Sequence, residues 1–251
     1  MRKILRRIIN RVKITFLGDP KMKAITYKEF YLPTFRENQG LSDNEVYLQS
    51  AVEQINHLSE YFDFYESSSI LDFGCGQGRL VNGLKLMRTQ FGSYFGVDTH
   101  YKSIKWCNKW ITKYGTKIKF IHLPAFNARY NRGVETLQQL PFEKNSFDLV
   151  FLNSVFSHML TDDVLFYIEE FQAVLKANGI LYVTAFVEEK VPDCEENPKN
   201  YLGESVGKLH RVRFEKQFFL NLFEENGFKV EIFAPQHISR TKQSVIIARK
   251  I

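Results

Sequence analysis

Cysteine is scarce in this 251-residue chain, and its three copies, Cys75, Cys107 and Cys194, form no C-x-x-C pair. That spacing excludes a disulfide framework and gives no support to a zinc site, and the odd count suits a reducing compartment. No apolar run approaches the roughly 18–20 residues that cross a bilayer. The basic first residues lack the apolar stretch and small-residue cleavage site of a signal peptide. Internal repeats and low-complexity tracts are missing too, so the expectation is a soluble, cytoplasmic protein. Its composition, 44% hydrophobic and 25% charged, is that of a folded domain. The 23 Phe and 12 Tyr point to an aromatic-rich core or pocket.

The net charge of +6 sits at one end. Residues 1–23 hold eight of the 34 Lys and Arg but one of the 28 acids, Asp19, which leaves 26 bases and 27 acids elsewhere. A nucleic-acid binder carries its basic footprint on the folded domain; here the domain is close to neutral, and no nucleic-acid partner is expected. Within the arm, Ile4, Leu5, Ile8, Ile9 and Val12 recur at helical spacing with Arg and Lys opposite, and Gly18-Asp19-Pro20 ends the pattern. A basic amphipathic helix of this kind lies on an anionic membrane, docks a partner or packs on its own domain. Its Arg-rich, acid-poor makeup also matches a transit peptide. On the membrane reading, residues 2–16 hold the protein peripherally at the inner membrane surface.

Three segments follow: a basic arm (1–23), an N-terminal extension (24–66) and a main domain (67–251). Residues 24–41 read as irregular. Ser42 with Glu45 reads as a capping box, opening a helix that reaches about Tyr65. From residue 69 strands and helices alternate: strands at 70–73, 94–97, 117–123, 147–152, 179–187, 228–234 and 243–249, helices at about 79–90, 101–114, 161–177 and 215–226. Residues 188–213 read as a polar loop too long to be a simple connection. Alternation over about 180 residues predicts a doubly wound, mostly parallel α/β sheet.

The strongest local pattern is ILDFGCGQGRL, residues 70–80. A buried strand ends at Asp72 and Phe73, then Gly74, Gly76 and Gly78 alternate before a helix begins. Glycines let the chain turn sharply and let a ligand approach the backbone, and such a loop sits at the carboxyl end of a strand, where open α/β sheets bind ligands. Asp98, in YFGVD, ends the next strand and is placed to accept from ribose hydroxyls. A dinucleotide site shares this geometry but favours G-x-G-x-x-G. Here Arg79 stands at the third-glycine position, and Asp72 beside the loop repels a pyrophosphate while suiting a cationic ligand.

With these residues in view, the sequence resembles the class I S-adenosylmethionine-dependent methyltransferases. The matching stretches are ILDFGCGQGR, FGVD, LPFEKNSFDLVFLNSVFSHM (140–159) and FQAVLKANGILYVTAF (171–186), in the family's order and spacing over residues 65–250. The resemblance implies a seven-stranded Rossmann-like sheet whose last strand is antiparallel. It implies that Asp72, Gly74 and Gly76, with Phe73, Cys75 and Gly78 in the same loop, lie against the methionine part of the cofactor. Asp98 would then bind the ribose, Thr99 flank the adenine, and Asn153 and Ser154 face the transferred methyl. One departure stands out. The acid that many members carry after the third strand is missing from HLPAFNARYNRGVETLQQLPF (122–142), which is also long, leaving Asn127 or a backbone carbonyl for the adenine amino group.

Methyl transfer from a sulfonium needs proximity and orientation above all, and a hydroxyl acceptor adds a use for a general base. His158, in SVFSHM, is the first candidate base, and His210, in GKLHRVRF, the second. Lys208, Arg211 and Arg213 beside it read as acceptor contacts or as solvated charge. In the enzymes this sequence resembles, such extensions cover the cofactor and part of the acceptor pocket, a role the resemblance implies for Arg36, Glu37, Asn38 and Tyr47, while residues 42–65 also read as an ordinary docking helix. Cys75 lacks a basic neighbour and is no nucleophile. The expected activity is methyl transfer to a small-molecule or glycan acceptor, with a hydroxyl the favoured atom. A non-catalytic scaffold of the same fold and a nicotinamide-dependent oxidoreductase are the alternatives.

Overall fold

The computed structural model describes residues 20–36, 43–238 and 240–251. The amphipathic pattern at 2–16, Glu37, Asn38 and Ser42 lie outside the described residues. Seven strands form the central sheet: β3 (Ser69–Phe73), β4 (Ser93–Asp98), β5 (Ile118–His122), β6 (Phe147–Leu152), β7 (Leu175–Glu188), β10 (Phe228–Ile238) and β11 (Gln243–Lys250). Their order is β10-β11-β7-β6-β3-β4-β5. The run from β7 to β5 is parallel, and β11 lies antiparallel between β7 and β10. The sheet of the resemblance is therefore present, last strand included.

Why the central strands read as unbroken apolar runs is visible in the core. Successive side chains point to opposite faces, and both faces are covered. Leu71, Val150, Leu152, Leu181, Val183 and Ile246 pack on one side. Ile70, Leu149, Phe151, Tyr182, Val245 and Ile247 pack on the other. Helices α4 (Thr161–Val174) and α5 (Lys216–Glu224) contribute Val164, Tyr167, Phe171, Phe219 and Phe223 to the first layer. Helices α1 (Asn44–Ser59), α2 (Arg79–Leu86) and α3 (Tyr101–Trp110) contribute Ile55, Leu58, Leu80, Leu84 and Trp106 to the second. Each such side chain contributes roughly 1.5–3 kcal/mol on burial. No helix among the described residues is long and apolar enough to cross a membrane.

Several boundaries differ from the sequence reading. Residues 24–41 are not wholly irregular: β1 (Ala24–Tyr27) and β2 (Phe30–Pro33) form a hairpin. Its turn uses Lys28 at φ 54°, without the glycine or asparagine that signals a hairpin in sequence. The cap of α1 is Asp43, whose Oδ1 accepts from Val46 N at 2.9 Å, one residue beyond the Ser42 capping box. Helices α1, α2, α3 and α4 end before 65, 90, 114 and 177, the third passing into a 3-10 turn at Ile111–Tyr114. The long polar loop holds two short strands, β8 (Cys194–Glu196) and β9 (Val212–Glu215). β9 pairs with both β8 and the end of β7. Arg213 is not solvated charge: its guanidinium donates to Glu188 (3.0 Å) and Glu195 (2.6 Å), tying the three strands together.

Candidate active site

The glycine loop leaves β3 and folds back on the end of β4. Gly74 N and Cys75 N both donate to Val97 O, at 2.8 and 3.1 Å. Gly74, Gly76 and Gly78 have φ of 80°, 53° and 74°, a left-handed backbone that glycine adopts without cost. Gly74 is exposed, and a Cβ on it would fall 2.4 Å from Val155 Cγ2. Cys75 and Cys107 are buried, and burial holds both thiols well above their ordinary range. Neither is a nucleophile.

Asp98, half-buried at the end of β4, organises this loop. Its Oδ2 accepts from Gly76 N (2.8 Å) and its Oδ1 from His100 N (2.7 Å). Burial raises its pKa, and those two N–H groups oppose the rise. Asp72 stands differently. It is buried, Tyr94 OH donates to its Oδ2 at 2.5 Å, and burial pushes its pKa up to about 7. Tyr94 lies on the neighbouring strand, paired with Ile70, and sequence reading missed it.

Beyond β6, Asn153 is tied to the N-terminal extension. With its amide oxygen turned toward them, Gln54 of α1 accepts from Asn153 Nδ2 (3.1 Å) and Arg79 Nη2 (3.0 Å). Ser154 (φ 62°) joins a polar network under the sheet end. Its N donates to Thr184 Oγ1, Thr184 Oγ1 donates to Gln243 Oε1, and Gln243 Nε2 donates back to Ser154 Oγ, each at 2.7 Å. Ser157 Oγ lies 3.1 Å from Ser154 Oγ. Thr184 and Gln243 come from distant strands, and no local pattern marks them.

Thr99 and Asn127 spend their side chains within the protein. Thr99 Oγ1 donates to Ala125 O and accepts from Asn131 Nδ2. Asn127 is buried; its Oδ1 accepts from Arg129 N and Tyr130 N, and its Nδ2 donates to His158 O at 3.0 Å. The side chain placed by sequence at the adenine amino group instead fastens the long loop after β5 to the loop after β6.

His158 is where three loops meet. Its Nδ1–H donates to Leu209 O at 2.8 Å, and the ring edge packs on Tyr130, centroids 5.5 Å apart. Burial drives its pKa down to about 4, so at neutral pH the ring is uncharged with Nε2 unprotonated. His210 is arranged the other way: its Nδ1 accepts from Val206 N at 3.0 Å. In the neutral ring that leaves Nε2 as a donor and no nitrogen free to act as a base. Arg211 closes the same turn by donating to Gly203 O and Glu204 O. Arg36 packs over the Tyr47 ring and donates to Asp43 O, stiffening the extension. Between the loops after β5 and β7 lies a cavity of about 320 Å³ lined by His100, Arg129, Tyr130, Arg132, Val206 and Lys208.

Residues 71–183 match a family model described as a methyltransferase domain. Solved structures share the fold. A chain of the complex between the Haloferax volcanii Trm112 methyltransferase activator and its methyltransferase is 16% identical, with a TM-score of 0.59 over 82% of this chain and 92% of that one. The Burkholderia thailandensis 1,6-didemethyltoxoflavin-N1-methyltransferase, bound to 1,6-didemethyltoxoflavin and S-adenosylhomocysteine, is 16% identical, with a TM-score of 0.54 over 86% and 84%. The cyclase SpnF is 17% identical, with a TM-score of 0.56 over 86% and 85%. The residues fit S-adenosylmethionine. Gly74 leaves open backbone at the strand end, and Asp98, with two of its roughly four lone-pair sites spent on amides, has acceptor capacity left of the kind a ribose hydroxyl would use. Residues 71–183 thus form a methyltransferase domain, set in a fold that S-adenosylmethionine-dependent methyltransferases share.

Proposed function

We propose that the acceptor is a small molecule or glycan and that the methyl goes to one of its hydroxyls, with His158 as the base. The observation that carries this reading is the fixed tautomer of His158: the Nδ1–H bond to Leu209 O leaves Nε2 as a proton acceptor. Bound S-adenosylmethionine supplies a methyl already activated on a cationic sulfur. Asp98 and the glycine loop orient it, and Asn153 and Ser154, held by Gln54 and Gln243, shape the opposite wall. The low basicity of His158 suffices, because an attacking hydroxyl becomes strongly acidic only as the new C–O bond forms. Arg129, Arg132 and Lys208 around the cavity favour an acceptor that also carries an anionic group.

The test is S-adenosylhomocysteine formation against a panel of hydroxylated acceptors, anionic and neutral, by the wild type and His158→Gln. Turnover that falls on substitution, roughly 10²–10⁴-fold for a general base, while calorimetric binding of S-adenosylhomocysteine persists supports the assignment. Turnover unchanged in His158→Gln removes His158 from the reaction. Methylation confined to amines overturns the hydroxyl reading.

A further inference from the structure

His57 and Glu60 stand three residues apart on α1, so they share one face of the helix. The far end of β10 brings His237 against them. His237 Nε2 lies 3.1 Å from His57 Nδ1, and Glu60 Oε1 lies 3.9 Å from the same nitrogen. All three ligand atoms fall within 4.8 Å of one another. The two imidazoles meet edge to face, centroids 4.8 Å apart and planes at 74°. Their convergence comes from positions 180 residues apart in sequence. It depends on the register shift in β10 between Ala234 and Ile238.

This spacing is that of a metal chelate. Two imidazole nitrogens on a tetrahedral zinc, each about 2.0–2.1 Å from the ion, sit about 3.3 Å from each other. The observed 3.1 Å differs from that by a small movement of either ring. In the metal-free protein the contact is an imidazole–imidazole hydrogen bond, with one ring donating N–H to the other. When the donating ring exchanges that proton through solvent for one on its other nitrogen, both facing nitrogens offer lone pairs to an ion, and the Glu60 carboxylate swings in as a third, anionic ligand. Two imidazoles and one carboxylate suit zinc-class transition ions rather than calcium or magnesium, which prefer all-oxygen sites.

We propose that His57, Glu60 and His237 form a binding site for a zinc-class divalent cation that clamps α1 to β10. The clamp has a consequence for the cofactor site, because Gln54, one turn before His57 on α1, accepts from Asn153 and Arg79. Fixing the helix fixes that contact. The site itself is separate from the methyl-transfer chemistry.

The experiment titrates untagged, chelator-stripped full-length protein with Zn²⁺ by calorimetry, and with Co²⁺ while recording its visible d–d bands. One equivalent of Zn²⁺ binding in the micromolar range is expected, with Co²⁺ bands of four-coordinate intensity. Removing a ligand costs at least as much as the roughly 10–100-fold seen for outer-shell partners, so His57→Ala and His237→Ala should each weaken binding about 100-fold or more. Glu60→Gln should weaken it less. Circular dichroism of each variant checks that the fold is intact. The absence of saturable binding, or binding unchanged in both His57→Ala and His237→Ala, overturns the proposal.

Discussion

Gly83 lies in α2, the helix that leaves the glycine loop, and it faces α1. A Cβ built on it would stand 2.4 Å from Ala51 O and 2.8 Å from Ile55 Cγ1. Gly83→Ala therefore sets two effects against each other. Alanine is favoured over glycine in a helix interior by about 1 kcal/mol. Overpacking costs about 1–3 kcal/mol, and the upper end applies here, because the obstructing atom is a backbone carbonyl that cannot rotate away. The net expectation is a loss of roughly 2 kcal/mol. In a domain of this size each kcal/mol moves Tm by roughly 2–4 °C, so the melt should fall by about 4–8 °C. Urea denaturation gives the free energy directly, and calorimetric binding of S-adenosylhomocysteine shows whether displaced α1 carries Gln54 away from Asn153. A variant as stable as the wild type, or more stable, refutes the reasoning: helix propensity would then outweigh the contact, and α1 would not press on α2 at this point.

Three further outcomes are expected. Gly74→Ala must hold a φ of 80° at about 1–2 kcal/mol and also overlap Val155. Val155→Ala in the same chain should recover only the second part, and urea midpoints of the single and double variants separate the two. Gln243→Leu strips Thr184 and Ser154 of buried partners, at about 1–3 kcal/mol for each group left unsatisfied; a neutral urea midpoint would show that the network contributes no stability. His158 has its pKa lowered to about 4 in the folded protein. Its share of the stability is therefore complete above about 6.5 and lost as pH falls through 4. At about 1.36 kcal/mol per pKa unit that acid-side loss is about 3 kcal/mol, and His158→Gln, which takes up no proton, should not show it, so equal pH slopes in denaturation of the two proteins would contradict the burial of the ring.

What the sequence disclosed follows from how local each signal is. The buried parallel strands announce themselves because both faces are apolar: Ile70 and Leu71 are neighbours in the chain, yet they enter opposite cores. The glycine loop and Asp98 lie within one strand–loop–helix–strand unit, so their spacing in sequence predicts their meeting. The hairpin at Ala24–Pro33 escaped because Lys28 takes a left-handed turn that lysine does not advertise. Asn127 reads as one option for the adenine amino group, beside a backbone carbonyl, because the acid expected after the third strand is missing. Its partners, Arg129 N, Tyr130 N and His158 O, become evident only when the loops after β5 and β6 are laid side by side. Gln54, Thr184 and Gln243 share that condition. Each is an unremarkable polar residue in its own segment, and each acts on the end of β6 from elsewhere in the chain.

These non-local contacts also decide which features set the reaction. SpnF, a cyclase, shares the fold, so the sheet order does not choose the chemistry. On the function proposed above, the choice in this chain lies with the two long loops that flank the strand ends. The loop after β5 contributes Asn127, Arg129 and Tyr130, and the segment after β7 contributes Val206 and Leu209. Arg129 Nη1 donates to Val206 O at 3.0 Å, and Leu209 O fixes the tautomer of His158. His158 and the cavity wall therefore both depend on how these two loops meet. Changing the length of either loop should alter acceptor choice and the state of His158 together, while S-adenosylhomocysteine binding, proposed to rest on the glycine loop and Asp98 of β3 and β4, stays as it is.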